Sequence, residues 1–391
     1  MNVGIVAPEF PPEIGGIQTY AYEFSVELAR RGINVTVFTS RANDISGLQQ
    51  DLRIVPVLAC RRRIDAGVLA HYKFDIWHSM NAAYSWLSGQ FDRVVLSVHG
   101  NDFLRPYLLM ERPNLMRYPG FWRVPALTRR VERTIGRFRT QRLVTRTLPR
   151  VRHIITNSMF TEEVLLQKYP GCKGLTSPGM VGVGGRFLES RNSGIENESG
   201  GRNRLVTVCR LEDERKNVDK VLRALATLAP KWEFAYTIVG DGPLRAYLEG
   251  IVRDLGLKER VTFEGRVADV QLVPILQDSD LFVLTSDTRA GSHEGFGIAY
   301  LEANACGVPV LAARIAGAQE AVSDGVSGFF VDNPEVPDIA AALESYFNSE
   351  RQFYPDNCRQ FAAGFTWNKV VDHALHEYER LLAEDASVVN R

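Results

Sequence analysis

The sequence predicts an α/β protein of two domains, each built on a parallel sheet with helical connections, and three observations carry that reading. The chain has 391 residues, beyond the length at which single cores stop growing, so two domains are expected. Short apolar runs of strand length alternate with segments of helical period, the pattern that lays helices on the faces of a parallel sheet. Residues 190–204, SRNSGIENESGGRNR, are polar, glycine-containing and nearly free of large apolar side chains, which suits a linker. The expected organisation is therefore a first domain at 1–188, a second at 189–365 and a final segment at 366–391.

Each element follows from its own pattern. The run 3–7 ends at Pro8, a loop Pro11-Pro12-Glu13-Ile14-Gly15-Gly16 follows, and Tyr20, Phe24 and Leu28 then stand in helical register up to Gly32. This is strand, glycine loop, helix. Runs at 35–39, 53–58, 76–78 and 94–98 read as further strands. Beyond the linker the logic repeats, with a strand at 205–209, a helix around 218–228, a strand at 234–239, a helix from Pro243, and strands at 261–263 and 281–284. In the C-terminal TWNKVVDHALHEYERLL, Trp367, Val370, Val371, Ala374, Leu375, Tyr378, Leu381 and Leu382 recur at helical spacing, so one face of a last helix is buried. No short-period repeat occurs, which excludes solenoids and propellers.

Hydrophobic content of 45% with 24% charged residues is that of a globular chain. Lys plus Arg equals Asp plus Glu at 46 each, so net charge names no partner. The balance hides an asymmetry. Residues 102–152 hold thirteen arginines, no lysine and three acids, a formal +10 that the rest of this neutral chain offsets with −10. Leu127, Val131, Ile135 and Phe138 form a helical apolar stripe among those arginines, with Phe103, Tyr107 and Trp122 before it. A basic amphipathic helix beside aromatics is the pattern of a monotopic membrane contact, the alternative being a solvated face paired with acids of its own domain. Nucleic acid has no accompanying recognition motif here. Five scattered cysteines with no C-x-x-C pair fit neither a disulfide framework nor a zinc site. No uncharged stretch is long enough to span a bilayer and the first residues carry no basic n-region, so the expected location is cytoplasmic, with peripheral membrane association at most.

The stretch His293-Glu294-Gly295-Phe296-Gly297-Ile298-Ala299-Tyr300-Leu301-Glu302-Ala303-Asn304-Ala305-Cys306-Gly307-Val308-Pro309 carries the most chemistry. Gly307 and Pro309 stop a short helix that begins near Gly297. Its N-terminus, after a Gly-Phe-Gly loop, offers free backbone N–H groups and a positive dipole end to a phosphate or sugar. Glu294 lies before that helix and Glu302 within it, placed to accept hydrogen bonds from ribose and sugar hydroxyls. Two glutamates so spaced are equally a capping acid and a solvated helix acid, and the remaining matches decide between the readings.

This stretch resembles the Glu-x7-Glu motif of the large family of retaining glycosyltransferases, group 1, that includes bacterial phosphatidylinositol mannosyltransferases and lipopolysaccharide glucosyltransferases. Glu294 and Glu302 match its two glutamates, and Arg210-Leu211 with Lys216-Asn217 resembles its R-L…K-N element. Two cations at a strand end and a helix start suit a departing diphosphate, neutralising it without a metal. Gly240-Asp241-Gly242-Pro243 resembles the family's G-x-G-P turn and has no catalytic role in this reading. Gly15-Gly16 matches the glycine loop that faces the donor phosphates, and His99, at a strand end, resembles the histidine near the transferred sugar.

The resemblance implies a GT-B fold of two facing Rossmann-like domains, with a C-terminal helix crossing back to the first. It implies acceptor binding in the first domain and donor binding in the second. Arg210, Lys216, Glu294 and His99 become the catalytic candidates. Gly15, Gly16, Phe296, Gly297, Ile298 and Glu302 are placed at the donor, with base selection by backbone groups around Arg266 and Val267. No cofactor or metal is required, and a glycan or lipid-linked, anionic acceptor is expected. One region departs from the family: SPGMVGVGGRF replaces its usual I-P-N-G-V-D, and Gly182-Val183-Gly184-Gly185 lacks the strand and helix of a dinucleotide fingerprint. Two rivals stand beside the transferase, a nucleotide-sugar epimerase and a silent nucleotide-sugar-binding assembly partner.

Overall fold

The computed structural model of the chain describes residues 1–12, 15–43, 52–118, 124–189, 203–289 and 291–389. Most of the expected linker, 190–202, lies outside the described residues, as do Glu13, Ile14, Trp122 and Arg123. The chain divides into two compact units, Met1–Val181 with Trp367–Arg391, and Gly182–Thr366. The division thus falls at 181/182, against the 188/189 read from composition.

The first unit holds β1 (Asn2–Val6), β2 (Asn34–Ser40), β3 (Arg53–Leu58), β4 (Ile76–Ser79), β5 (Val94–Val98), β6 (His153–Thr156) and β7 (Thr176–Pro178). They form one sheet of order β3-β2-β1-β4-β5-β6-β7, parallel at every pairing. The second unit holds β8 (Asn203–Val208), β9 (Phe234–Val239), β10 (Val261–Gly265), β11 (Leu281–Leu284), β12 (Val310–Ala313) and β13 (Gly328–Val331), in the order β10-β9-β8-β11-β12-β13, again parallel. Helices cover both faces, which is why central strands such as β5 (VVLSV) and β11 (LFVL) are buried at every residue.

The first helix, Gly16–Arg30, buries Tyr20, Phe24 and Leu28 as its register requires. The C-terminal helix, Trp367–Val389, lies in the first unit and buries Trp367, Val370, Val371, Ala374, Tyr378 and Leu381, with Trp367 edge-on to Tyr20 at 5.2 Å. Its polar flank is bonded as well: Tyr378 Oη meets His78 Nδ1 at 2.5 Å, His373 Nε2 meets Ser177 Oγ at 2.8 Å, and Arg93 pairs with Asp385 at 2.6 Å.

Four strands escape the sequence pattern. β6, β7, β12 and β13 have three or four residues each and were not read as strands from the sequence. A strand therefore does precede Gly182-Val183-Gly184-Gly185, ending at Pro178, but the helix after it, Gly185–Leu188, is a single turn.

The arginine-rich helix, Pro125–Thr147, inverts the usual arrangement. Its buried positions are Thr128, Glu132, Gly136, Thr140, Leu143 and Val144. Glu132 accepts from the Leu115 N–H at 2.6 Å, Thr140 accepts from the Glu111 N–H at 3.3 Å, and at Gly136 a Cβ would stand 3.0 Å from that of Arg112. Of the expected apolar stripe, Leu127 is 57%, Val131 38% and Phe138 67% exposed, and Ile135 is half-buried. No helix among the described residues is long and apolar enough to cross a membrane.

Candidate functional site

In the second unit the strand order reverses between β8 and β11, and open parallel sheets place their ligands outside the strand ends at such a point. The loops leaving those two strands are laced together. Asn217 Nδ2 donates to the Thr285 carbonyl at 2.7 Å and the Asp287 N–H to the Arg215 carbonyl at 2.7 Å. Within that frame Glu294 Oε2 accepts from Lys216 Nζ at 2.5 Å and from Ser286 Oγ at 3.2 Å, with the Arg215 guanidinium 3.6 Å away.

Burial alone would raise the Glu294 pKa, but the charges of Lys216 and Arg215, with the hydrogen bonds from Lys216 and Ser286, outweigh it and hold the carboxyl at about 2. Glu294 is therefore an anion that only accepts hydrogen bonds at physiological pH. It can hold hydroxyls and cannot act as a general acid.

Arg215 is the residue that sequence reasoning missed. Its side chain is 6% exposed, its Nε donates to Asp213 at 3.1 Å, and its Nη1 has no hydrogen-bond partner among the described residues. Adjacency to Lys216 was the available signal, and nothing in the pattern says which way an arginine faces.

Arg210 and Lys216 line one cavity of about 170 Å³, together with Asp213 and Tyr247. Only Lys216 touches Glu294. Arg210 is 62% exposed and pairs with Glu212 at 3.0 Å. The G-x-G-P turn sets this strand end: Gly240 has φ +132°, and a Cβ there would stand 1.8 Å from the Cys209 carbonyl, so a side chain would push the turn off the residue preceding Arg210.

The short helix between the glutamates runs Ile298–Ala305. Gly297 starts it at φ +96°, where a Cβ would lie 2.4 Å from the Tyr300 ring. Tyr300 Oη donates to the Leu284 carbonyl at 2.9 Å, tying the helix to the end of β11, and the Gly317 N–H donates to the Glu294 carbonyl at 3.1 Å. Glu302 is half-buried on this helix, one turn in from Ile298. Phe296 is buried and packs on Phe365 at 5.7 Å, which leaves its backbone as the part that can meet a ligand. Arg266 and Val267 follow β10, two strands from β8, and the Gly240 N–H donates to the Gly265 carbonyl at 2.7 Å to join the two turns.

In the first unit Gly15 is the N-cap of the first helix and accepts from the Thr19 N–H at 2.9 Å, with Gly16 exposed beside it. His99 follows β5, and its ring packs on that of Tyr20 at 4.3 Å, so the glycine-loop helix and the histidine do come together. Asp102 fixes the turn: its carboxylate accepts from the N–H groups of Ala82 at 2.8 Å, Phe103 at 3.0 Å and His99 at 3.3 Å. Burial pushes its pKa up to about 7 against those bonds. Burial likewise lowers His99 to about 3, leaving a neutral ring whose Nε2 is buried with no hydrogen-bond partner among the described residues. Such an atom costs about 1–3 kcal/mol, so a polar ligand group at Nε2 would be favoured.

Known proteins match this architecture over its length. Residues 189–363 match the model of glycosyl transferases group 1, and residues 14–173 that of glycosyltransferase family 4. A GDP-mannose-dependent alpha-(1-6)-phosphatidylinositol monomannoside mannosyltransferase of Mycolicibacterium smegmatis is 30% identical over 87% of this chain and 87% of its own. A D-inositol 3-phosphate glycosyltransferase of Mycolicibacterium gilvum is 27% identical over 95% of this chain and 86% of its own. Among solved structures, a sucrose-phosphate synthase from Thermosynechococcus elongatus superposes with TM-score 0.76 at 19% identity, covering 98% of this chain and 99% of that one. The Anabaena HepE protein in complex with UDP and glucose does so with TM-score 0.71 at 18% identity, covering 96% and 98%. The chain belongs to the family 4, group 1 glycosyltransferases of GT-B fold, enzymes that transfer a sugar from a nucleotide sugar.

Proposed function

We propose that the chain is a retaining, metal-independent hexosyltransferase that passes a hexose from a nucleoside diphosphate sugar to a hydroxyl of an anionic, lipid-linked or glycan acceptor. The observation that carries this reading is the half-buried Lys216–Glu294 pair at the reversal point of the second sheet. Lys216 and Arg210 neutralise the departing diphosphate, and Glu294 holds hydroxyls of the transferred sugar. The backbone of Phe296, Gly297 and Ile298 meets phosphate, Glu302 takes the ribose hydroxyls, and backbone groups at Arg266 and Val267 take the base. In the first domain Gly15 and Gly16 serve the phosphates, and neutral His99 hydrogen-bonds the sugar. In the reaction the bond from the anomeric carbon to the diphosphate breaks and the acceptor oxygen bonds to that carbon from the same face. The hydroxyl proton passes to the leaving phosphate. Proton NMR of the product with chelator present tests this: retention is expected, and inversion would contradict it. An epimerase would instead convert the donor without releasing nucleoside diphosphate, and a silent partner would bind it without turnover.

Glu302→Ala should weaken donor binding by about 1.5–3 kcal/mol, the range for a hydrogen bond to a charged group. Calorimetric titration with the nucleotide checks it, and unchanged affinity in a folded variant would remove Glu302 from the donor site.

The acceptor's charge is read from the arginine-rich helix and supported by the relatives, whose names carry phosphatidylinositol and inositol 3-phosphate. Its outward stripe of Leu127, Val131 and Phe138 lies among exposed arginines. Such a face attaches peripherally to anionic lipid at the cytoplasmic membrane, where each basic residue adds about 1 kcal/mol. Flotation should show binding to anionic vesicles that falls as salt rises. Binding indifferent to lipid charge and to ionic strength would overturn this part while leaving the donor site untouched.

A further inference from the structure

The C-terminal helix meets the first sheet through a set of imidazoles whose bonding depends on their protons. Ser177 of β7 stands between two rings, its Oγ 2.7 Å from Nε2 of His153 on β6 and 2.8 Å from Nε2 of His373 on the helix. A hydroxyl carries one proton and two lone pairs. With both rings neutral it donates to one nitrogen and accepts from the N–H of the other. With both rings charged, two N–H groups point at one oxygen, and the hydroxyl proton has lost its acceptor.

The surroundings do not offset that added charge. His153 is buried, and its Nδ1 has no hydrogen-bond partner among the described residues. Glu377 Oε2 lies 3.5 Å from that nitrogen, but Arg380 already holds the same oxygen through Nε at 2.9 Å and Nη2 at 2.8 Å. His376, also on the helix, acts against a charge on His373. His78 of β4 is bonded at both nitrogens, to Tyr378 Oη of the helix at 2.5 Å and to Ser97 Oγ of β5 at 2.9 Å, and His99 and His153 act against a charge there. Elsewhere on this contact Arg93 pairs with Asp385, Arg152 with Glu384 and Asp385, and Arg31 with Asp372, so those carboxylates are engaged as well.

From this arrangement we propose that His153, Ser177 and His373 form an acid-sensitive latch, which holds the C-terminal helix to the first sheet at neutral pH and lets Trp367–Val389 leave it as the rings take up protons. The apolar face of the helix is indifferent to pH, so it is this polar flank that makes docking depend on acid. Burial lowers His153 to about 4 and also lowers His373, from an ordinary 6.5. The docked rings are thus neutral, and a ring released to water regains its ordinary value. Docking is at full strength above 6.5 and weakens as pH falls from there towards 4. A helix of this length is marginal by itself, so release also exposes its amides.

Hydrogen exchange of the full chain tests it, read by mass spectrometry at about pH 7.5 and at about pH 5.5, the latter still above the ordinary carboxylate range, and corrected to the intrinsic rate at each. A histidine at about 4 when docked and 6.5 when released weakens docking about tenfold at the lower pH, so protection across the helix should fall by at least about tenfold. His153→Gln combined with His373→Gln places amides that do not titrate near the Nε2 positions. This variant should keep its protection at the higher pH and show a fall at least about tenfold smaller than that of wild type. Equal falls in wild type and variant, or no fall in wild type, would overturn the latch. Imidazole NMR of wild type decides without any variant: His153 and His373 should stay neutral for as long as the helix is protected, and titration of both near 6.5 with protection retained would also overturn it.

Discussion

Lys216→Met is expected to lower turnover by about 10²–10³-fold, the range for removing one preorganised group that stabilises charge developing in a transition state. The ammonium lies 2.5 Å from Glu294 and lines the cavity shared with Arg210, so its loss removes both the proposed diphosphate partner and the closest counter-charge of the carboxylate proposed to hold the sugar. Arg210→Ala should cost less, because that guanidinium is 62% exposed and already paired with Glu212. The double variant should fall short of the sum, since the two cations act on one anion. Steady-state rates with chelator present check all three. Wild-type turnover in the single Lys216 variant would show that something other than this lysine carries the leaving-group charge.

Glu294→Gln should destabilise the protein by at most about 3 kcal/mol, the lower end for breaking a buried ion pair by removing one partner, since Lys216 and Glu294 are half-buried. The lower end applies because Arg215 keeps its bond to Asp213 at 3.1 Å. The pH dependence follows from the direction of the shift. The folded-state carboxyl sits at about 2, below its ordinary 4.5, so its contribution is complete above 4.5 and is lost as pH falls from there towards 2. Urea midpoints across that window should drop more in wild type than in the Gln variant. Arg215→Met should move the same limb to higher pH, and Arg215→Lys should restore part of it. Equal midpoints and equal acid limbs in wild type and Glu294→Gln would mean that the pair contributes nothing to the fold.

How much of this was legible beforehand depended on the range of the interaction. Strands β3, β5, β9 and β11 and the helix Val218–Leu228 begin and end where their apolar runs do, because burial acts on each residue in turn. Glu294, Lys216 and His99 were picked out by the resemblance of their motifs to the family's, with His99 also standing at a strand end. Arg215 was not, since its burial depends on Glu294 and Asp287 approaching from a distant loop. The same limit hid the His153, Ser177 and His373 cluster, whose members come from two strands and the last helix. On the arginine-rich helix the period of Leu127, Val131 and Phe138 was readable, but its facing was not. An apolar stripe normally points inward, and here Glu132 and Thr140 make the inner contacts through backbone N–H groups.

The central claim is that the second unit binds a nucleoside diphosphate sugar with its own charges and no metal. Thermal unfolding with UDP, GDP, ADP and their sugars, in the presence of chelator, tests it most directly. At a hundred times its Kd, one of these sugars should stabilise the protein by about 2.7 kcal/mol. Stabilisation that appeared only on adding a divalent cation, or by none of the panel, would contradict the account.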